Sequence, residues 1–195
     1  MNKSGNTKSV GNINLILGCM FSGKTSELIR IVKRYKCIDK KVLLVNYIED
    51  KRYSDNSIDN NFQEKVYTHD KVSYTCIFLE KINDLFKLTN EYDVFAINEG
   101  QFFNNIYLVS QELCEKYNKD VIICGLDGDY KRECFKNNLL ELIPIADTVE
   151  ILTAYCSICK DETPARFSKR ISTETEQKVI GSTNYIPVCR YHYLN

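Results

Sequence analysis

The sequence predicts an α/β fold: a parallel sheet with flanking helices, followed by a small C-terminal metal-binding lobe. Short apolar, β-branched runs alternate with segments whose apolar residues recur at helical spacing, the pattern of strands joined by crossover helices. The octet Gly18-Cys19-Met20-Phe21-Ser22-Gly23-Lys24-Thr25 has the G-x-x-x-x-G-K-[ST] form of a phosphate-binding loop, which joins a strand to a helix. Near Ala154 the alternation stops and paired cysteines begin, placing the expected boundary between an α/β nucleotide-binding unit of residues 12–153 and a lobe of residues 154–195.

Each element follows from its residues. Residues 13–17 are mostly apolar and suit a buried first strand, and residues 26–35 carry apolar side chains at helical spacing. The octet thus lies between a strand and a helix, where its chemistry requires it. Glycines let backbone N–H groups close around phosphates, Lys24 reaches the β/γ oxygens, and the Thr25 hydroxyl is placed to ligate Mg²⁺. Residues 41–47 form the second strand candidate. Residues 49–61 are dense in Asp, Asn and Ser, so they are expected to form a long, mobile loop of the sort that closes over substrate. Further strands are expected at residues 92–97, 120–125 and 148–152, with helical stretches at 82–89 and 108–117.

Composition narrows the classes of function. A chain of 195 residues can bury one sizeable core and carry a small appended lobe. Its 26 basic and 26 acidic side chains cancel, so no nucleic-acid partner is expected. Lys160, Arg166, Lys169 and Arg170 give the lobe some basic character, but without interleaved aromatics they are read as a solvated face. Residues 1–11 are polar and lysine-containing, unlike a signal peptide, and no segment is apolar enough to span a membrane. A soluble, cytoplasmic protein is expected. The odd count of nine cysteines then suggests free thiols. Cys37, Cys76, Cys114, Cys124 and Cys134 occur singly and are assigned no function; Cys19 is treated as a variable loop position.

The remaining cysteines are paired. Cys156-Ser157-Ile158-Cys159 is C-x-x-C and Cys189-Arg190-Tyr191-His192 is C-x-x-H, and two such knuckles supply the four ligands of a closed, structural Zn²⁺ site. A redox C-x-x-C is the rival reading, but it leaves the second pair unexplained. The ion would pin the ends of the segment 160–188. Little chain follows His192, so no C-terminal regulatory tail is expected.

Five motifs occur in one order: the octet, Asp50-Lys51-Arg52-Tyr53, Asn98-Glu99-Gly100-Gln101-Phe102-Phe103, Gly125-Leu126-Asp127-Gly128-Asp129-Tyr130, and the paired knuckles. Together they closely resemble the zinc-containing (type II) thymidine kinases of cells and large DNA viruses, over about residues 13–193. The resemblance implies a RecA-like P-loop sheet and a zinc lobe carrying a lasso-like loop. It implies transfer of the ATP γ-phosphate to the thymidine 5′-hydroxyl in deoxynucleoside salvage, with Mg²⁺ as cofactor. Glu99 would act as base, while Lys24 and Arg52 contact the phosphates. Met20, Phe102, Leu126, Tyr130, Phe135 and Tyr185 would line the nucleoside pocket. Backbone groups at Ser168, Gln177, Val179, Ile180 and Gly181 would read the pyrimidine. A homotetramer or dimer and feedback inhibition by dTTP are also implied.

Two positions depart from the family pattern. Relatives usually carry Asp before the catalytic Glu, where this chain has Asn98; Asn brings no charge to Mg²⁺, so a weaker metal dependence or a larger metal role for Asp50 is expected. Asp129 stands where many relatives have threonine, and its effect on the pocket is not apparent from the sequence. The competing readings are a kinase for deoxyuridine or deoxycytidine, a zinc-ribbon P-loop ATPase acting on nucleic acid, and a GTPase switch. The last finds no Asn-Lys-x-Asp guanine-reading element.

Overall fold

The computed structural model describes residues 10–50, 65–67, 73–179, 181 and 183–195. Its main body runs β1 (Ile13–Gly18), α1 (Lys24–Lys36), β2 (Val42–Tyr47), β3 (Lys65–Tyr67), β4 (Ser73–Thr75), β5 (Ile77–Leu79), β6 (Val94–Ile97), α2 (Ile106–Glu115), β7 (Asp120–Gly125) and β8 (Thr148–Leu152). β5, β2, β6, β7, β1 and β8 form one six-stranded sheet in that order. Every pairing within it is parallel, with Ile13 opposite Val121, Leu15 opposite Val149 and Leu43 opposite Phe95.

A parallel sheet is covered on both faces, and the side-chain alternation along each strand shows how. Leu15, Leu17, Phe95, Ile97, Val121 and Ile123 face a core completed by Ile106, Val109 and Leu113 of α2. Two 3₁₀ helices, Ile82–Leu88 and Leu139–Ile145, cover the rest of that face with Ile82, Leu85, Leu139 and Leu142. The neighbouring positions Ile16, Leu44, Ala96 and Ile122 point the other way, onto Leu28, Ile29 and Val32 of α1. These three residues recur at helical spacing, which is why α1 buries one stripe. Each such fully buried aliphatic side chain contributes roughly 1.5–3 kcal/mol. Lys33, Arg34 and Lys36 in the last turn complement the helix dipole.

The sheet has one more strand than the sequence suggests. β5 is only three residues long, too short to establish a period, and it lies at the edge beyond β2. The helical stretch expected at residues 82–89 is a 3₁₀ helix, as is Leu139–Ile145, where Pro144 lacks the N–H an α-helix would use. The expected mobile loop falls largely outside the described residues.

In the lobe, β9 (Ala154–Tyr155) pairs antiparallel with β10 (Pro164–Ala165), and β11 (Phe167–Arg170) with β12 (Tyr185–Val188). The short α3 (Arg190–Leu194) follows. The fully apolar interior here is slight, centred on Cys156, Ala165 and Val188. So small a core requires a staple. The lobe also leans on the main body: the Cys19 thiol donates to Ala165 O (3.3 Å), Arg166 pairs with Asp127 (3.1 Å), and the Tyr193 hydroxyl donates to Tyr130 O (2.7 Å).

Candidate active site

The carboxyl ends of β1, β2, β6 and β7 lie side by side, and the loops leaving them build the site. Gly18 ends β1 at φ 146°, and a Cβ there would meet Leu152 O at 2.3 Å, so the phosphate loop can turn only because the side chain is missing. Gly23, at φ 83°, takes the left-handed conformation that opens α1. The first-turn N–H groups of α1 and its positive dipole end make a ready anion site. Lys24 is buried and donates to Cys19 O at 2.6 Å, while Ser22 donates to the same carbonyl at 2.8 Å. Burial pushes the Lys24 ammonium below its ordinary pKa, opposed by the charge of Glu99. Burial also pushes the Cys19 thiol above its ordinary pKa.

Glu99 follows β6 in the left-handed region, φ 55°, an uncommon conformation for a residue with a Cβ. Its side chain is buried, and its Oε2 accepts from Gln101 Nε2 at 2.5 Å. Gln101 Oε1 in turn accepts the Leu126 N–H at 3.0 Å. Gln101 therefore fixes the carboxylate by bracing it against the loop after β7.

A polar chain runs beside this pair. Thr25 Oγ1 donates to Asn98 Oδ1 (3.2 Å), Asn98 Nδ2 donates to Asn46 Oδ1 (2.9 Å), and Asn46 Nδ2 donates to Asp50 Oδ2 (3.2 Å). Cys124 adds its thiol to Asn98 Oδ1 at 2.9 Å. Asn46, Asp50 and Asn98 are all buried. The structure thus links the three residues expected to associate with Mg²⁺, Thr25 directly to Asn98 and Asp50 by way of Asn46, and all three carry oxygen donors of the kind a hard cation takes.

On the lobe side, Met20 donates its N–H to Ser168 Oγ at 2.9 Å. Phe102 packs edge-on against Phe135 (6.0 Å between ring centroids) and tilted against Tyr47 (5.5 Å). Tyr130 and Tyr185 flank the Arg170 guanidinium at 3.7 and 5.0 Å, and the Tyr185 hydroxyl donates to Val179 O at 3.2 Å. Asp129 now has a visible part: its Oδ1 accepts the N–H groups of Lys131 and Glu133 at 2.8 Å each, and its Oδ2 accepts Gln177 Nε2 at 2.9 Å. Lys178 donates to Glu49 at 2.6 Å and lies over Tyr47 at 4.3 Å. Gly181 is half-buried beside Asn184. Arg52 and Ile180 lie outside the described residues.

The paired knuckles converge. The ligand atoms of Cys156, Cys159, Cys189 and His192 all lie within 4.8 Å of one another. His192 Nδ1 is 3.5, 3.3 and 3.5 Å from the three sulfurs, and Cys159 and Cys189 are 3.9 Å apart. A tetrahedron with metal–sulfur bonds of about 2.3 Å has edges close to these lengths, so the cluster is compatible with zinc. A disulfide is absent among the described cysteines.

Sequence reasoning passed over several residues at the site. Asn46 has a signal, being the polar member of an otherwise apolar strand, and Gln101 lies inside a quoted motif. Cys124, Tyr47 and Lys178 have none. The hollow lined by Lys36, Asp39, Lys40, Lys41, Val42, Asn90, Glu91 and Tyr92 lies at the opposite, amino end of the strands and plays no part here.

Comparison with known proteins places this arrangement. The thymidine kinase family model matches residues 11–193. Thymidine kinase 1 of Dictyostelium discoideum is 42% identical over 188 residues, covering 96% of this chain and 79% of the relative. Thymidine kinase of Monkeypox virus is 40% identical over 189 residues, covering 95% of this chain and 98% of the relative. The thymidine kinase of Vaccinia virus strain Western Reserve is likewise 40% identical, with the same coverage. Domain III of the Thermotoga maritima replication initiation protein DnaA aligns at a TM-score of 0.39 with 18% identity, over 73% of this chain and 55% of that one, a likeness too slight to carry an argument. With a family model spanning nearly the whole sequence, the chain belongs to the thymidine kinase family.

Proposed function

We propose that the protein transfers the γ-phosphate of ATP to the 5′-hydroxyl of thymidine. The observation that carries this reading is a phosphate loop with a buried Lys24, followed at the end of β6 by a buried Glu99 carboxylate held by Gln101, in a chain of the thymidine kinase family. The phosphate loop and α1 hold the triphosphate, and Lys24 spreads the charge of the transferring group. Glu99, oriented by Gln101, takes the proton of the 5′-hydroxyl as its oxygen bonds to the γ-phosphorus and the bond to the ADP oxygen breaks. Arg52 is assigned to the phosphates by resemblance.

Thr25, Asn98 and Asp50 would hold Mg²⁺, which neutralises phosphate charge when bound. Cys156, Cys159, Cys189 and His192 would hold a structural Zn²⁺, and the residues between the knuckles would form the nucleoside-binding loop. Met20, Phe102, Leu126, Tyr130, Phe135 and Tyr185 line the proposed pocket, with backbone groups at Ser168, Gln177, Val179, Ile180 and Gly181 reading the base. Residues 12–153 and 154–195 serve as the phosphate-binding and nucleoside-binding units. Among the described residues no helix is long and apolar enough to cross a membrane. A cytoplasmic location belongs to the same reading. Assembly as a homotetramer or dimer and inhibition by dTTP belong to the same reading.

The test is ATP- and Mg²⁺-dependent phosphorylation of a nucleoside panel by wild type and Glu99→Gln. Thymidine turnover that falls by about 10²–10⁴-fold in the variant supports the assignment. Preferred turnover of deoxycytidine, or none of any nucleoside, overturns it.

A further inference from the structure

Arg170 closes β11, and the sequence reads it as one of several solvated basic residues. Its surroundings contradict that reading. Nη1 donates to Glu174 O (2.9 Å) and Glu176 O (2.6 Å), and Nη2 reaches Gln177 O (3.4 Å) and the Tyr185 hydroxyl. Its Nε is buried with no acceptor among the described residues. The guanidinium plane also stacks on Tyr130, its central carbon 3.7 Å from the ring centroid.

One side chain thus gathers three carbonyls of residues 174–177, a segment with no helix or strand of its own to bond its backbone. The rings it touches hold the same segment: Tyr130 donates its hydroxyl to Thr175 O at 2.9 Å, and Tyr185 donates to Val179 O at 3.2 Å. Gln177 is tied to Asp129 at 2.9 Å and Cys134 O at 3.3 Å. Apart from the bonds of Gln177 to Cys134 O and of Lys178 to Tyr47 and Glu49, the side-chain anchors of the loop from 174 to 179 pass through Arg170, through an aromatic ring beside it, or through Asp129 in the turn that carries Tyr130.

We infer that Arg170 is the positioning residue of the nucleoside-binding loop: its guanidinium sets the loop backbone and the rings of Tyr130 and Tyr185 in the geometry that receives the pyrimidine. This rests on the thymidine kinase reading for the identity of the ligand. A loop that recognises its ligand through backbone groups binds weakly unless it is ordered beforehand, and a planar fork with several donors orders more backbone than any other side chain could. Lysine cannot replace it, since a single ammonium can neither stack flat on Tyr130 nor span three carbonyls.

The experiment compares wild type, Arg170→Ala and Arg170→Lys as full chains carrying zinc. It measures kcat, the KM for thymidine, the KM for ATP, and hydrogen exchange of amides 172–179. Expected in both variants is a thymidine KM raised by about 10- to 100-fold, an ATP KM within about 2-fold of wild type, and faster exchange confined to the loop. A thymidine KM within about 2-fold of wild type in Arg170→Ala overturns the inference, as does full rescue by Arg170→Lys. So does a parallel rise of both KM values with exchange spread through the lobe, the mark of a merely structural role. Wild type that phosphorylates no nucleoside sinks the kinase reading instead. Exchange then decides the loop anchoring independently of turnover, with unchanged protection in Arg170→Ala overturning it.

Discussion

Asn46 accepts a hydrogen bond from Asn98 at 2.9 Å and gives its own amide to Asp50 at 3.2 Å. Its two ends are chemically opposite, so the chain Thr25–Asn98–Asn46–Asp50 has a fixed polarity. Each buried member faces a partner of the complementary kind.

That polarity makes Asn98→Asp costly even though the resemblance leads one to expect an acid there. The introduced carboxylate would oppose the Asn46 carbonyl oxygen, and turning the Asn46 amide to relieve this would set its oxygen against Asp50. We expect a loss of about 1–3 kcal/mol in urea unfolding for N98D. The double variant N98D/D50N moves the carboxylate from one end of the relay to the other and should recover at least ~1 kcal/mol. Strict additivity would count against the relay. If Asn98 weakens metal use, N98D should also reach half-maximal activity at lower Mg²⁺; an unchanged requirement refutes that role.

Lys24 sets stability against turnover. Burial lowers its pKa from 10.5, so holding the ammonium inside costs stability at neutral pH, a cost that fades as pH rises toward 10.5. Lys24→Met should therefore abolish turnover while raising the melting temperature at pH 7 without nucleotide, by about 2–4 °C for each kcal/mol regained. The advantage should shrink at pH 10. A variant less stable than wild type at pH 7 would contradict this account.

Gln101→Glu keeps the shape of the side chain but sets a second carboxylate where the amide now touches Glu99 at 2.5 Å. A like charge raises a carboxyl pKa, so the base stays protonated to higher pH. The acid limb of the kcat profile should move upward by about one pH unit or more, with the ATP KM little changed. A profile superimposable on wild type would show that Gln101 does not orient the base.

Zinc should be present at one ion per chain, and Cys189→Ser should lose it. Because the lobe's apolar interior is small, the loss is expected to raise the thymidine KM by about 10-fold or more, while the ATP KM changes far less. Metal-free protein with an unaltered thymidine KM would remove the ion from the architecture.

Much of this was legible in the sequence, for physical reasons. The phosphate loop is a local device: spacing, two glycines and flanking periodicities suffice to place Gly18, Lys24 and Thr25. The knuckles are local too. β7 and β8 fall where the apolar runs predict because each is long enough to establish a pattern. β5, with three residues, gains its place only by pairing with β2, which no local pattern encodes. The relay through Asn46 and the loop's dependence on Arg170 were hidden for the same reason. Asn46 is 52 positions from Asn98 and meets it only once β2 and β6 are paired. Arg170 looks like any surface cation until Tyr130, from the turn after β7, is laid against it.

The bond from the Met20 N–H to Ser168 Oγ joins the phosphate loop to the lobe strand beside the nucleoside-binding segment. In the proposed function one peptide group therefore belongs to the walls of two binding sites. A change that either substrate made in the stiffness or position of that peptide would then reach the other site. Thermodynamic linkage requires the effect to be returned in equal measure: if bound ATP alters the affinity for thymidine by some factor, bound thymidine alters the affinity for ATP by the same factor. On the proposed function the two sites would form one coupled system, with Met20 and Ser168 at its joint.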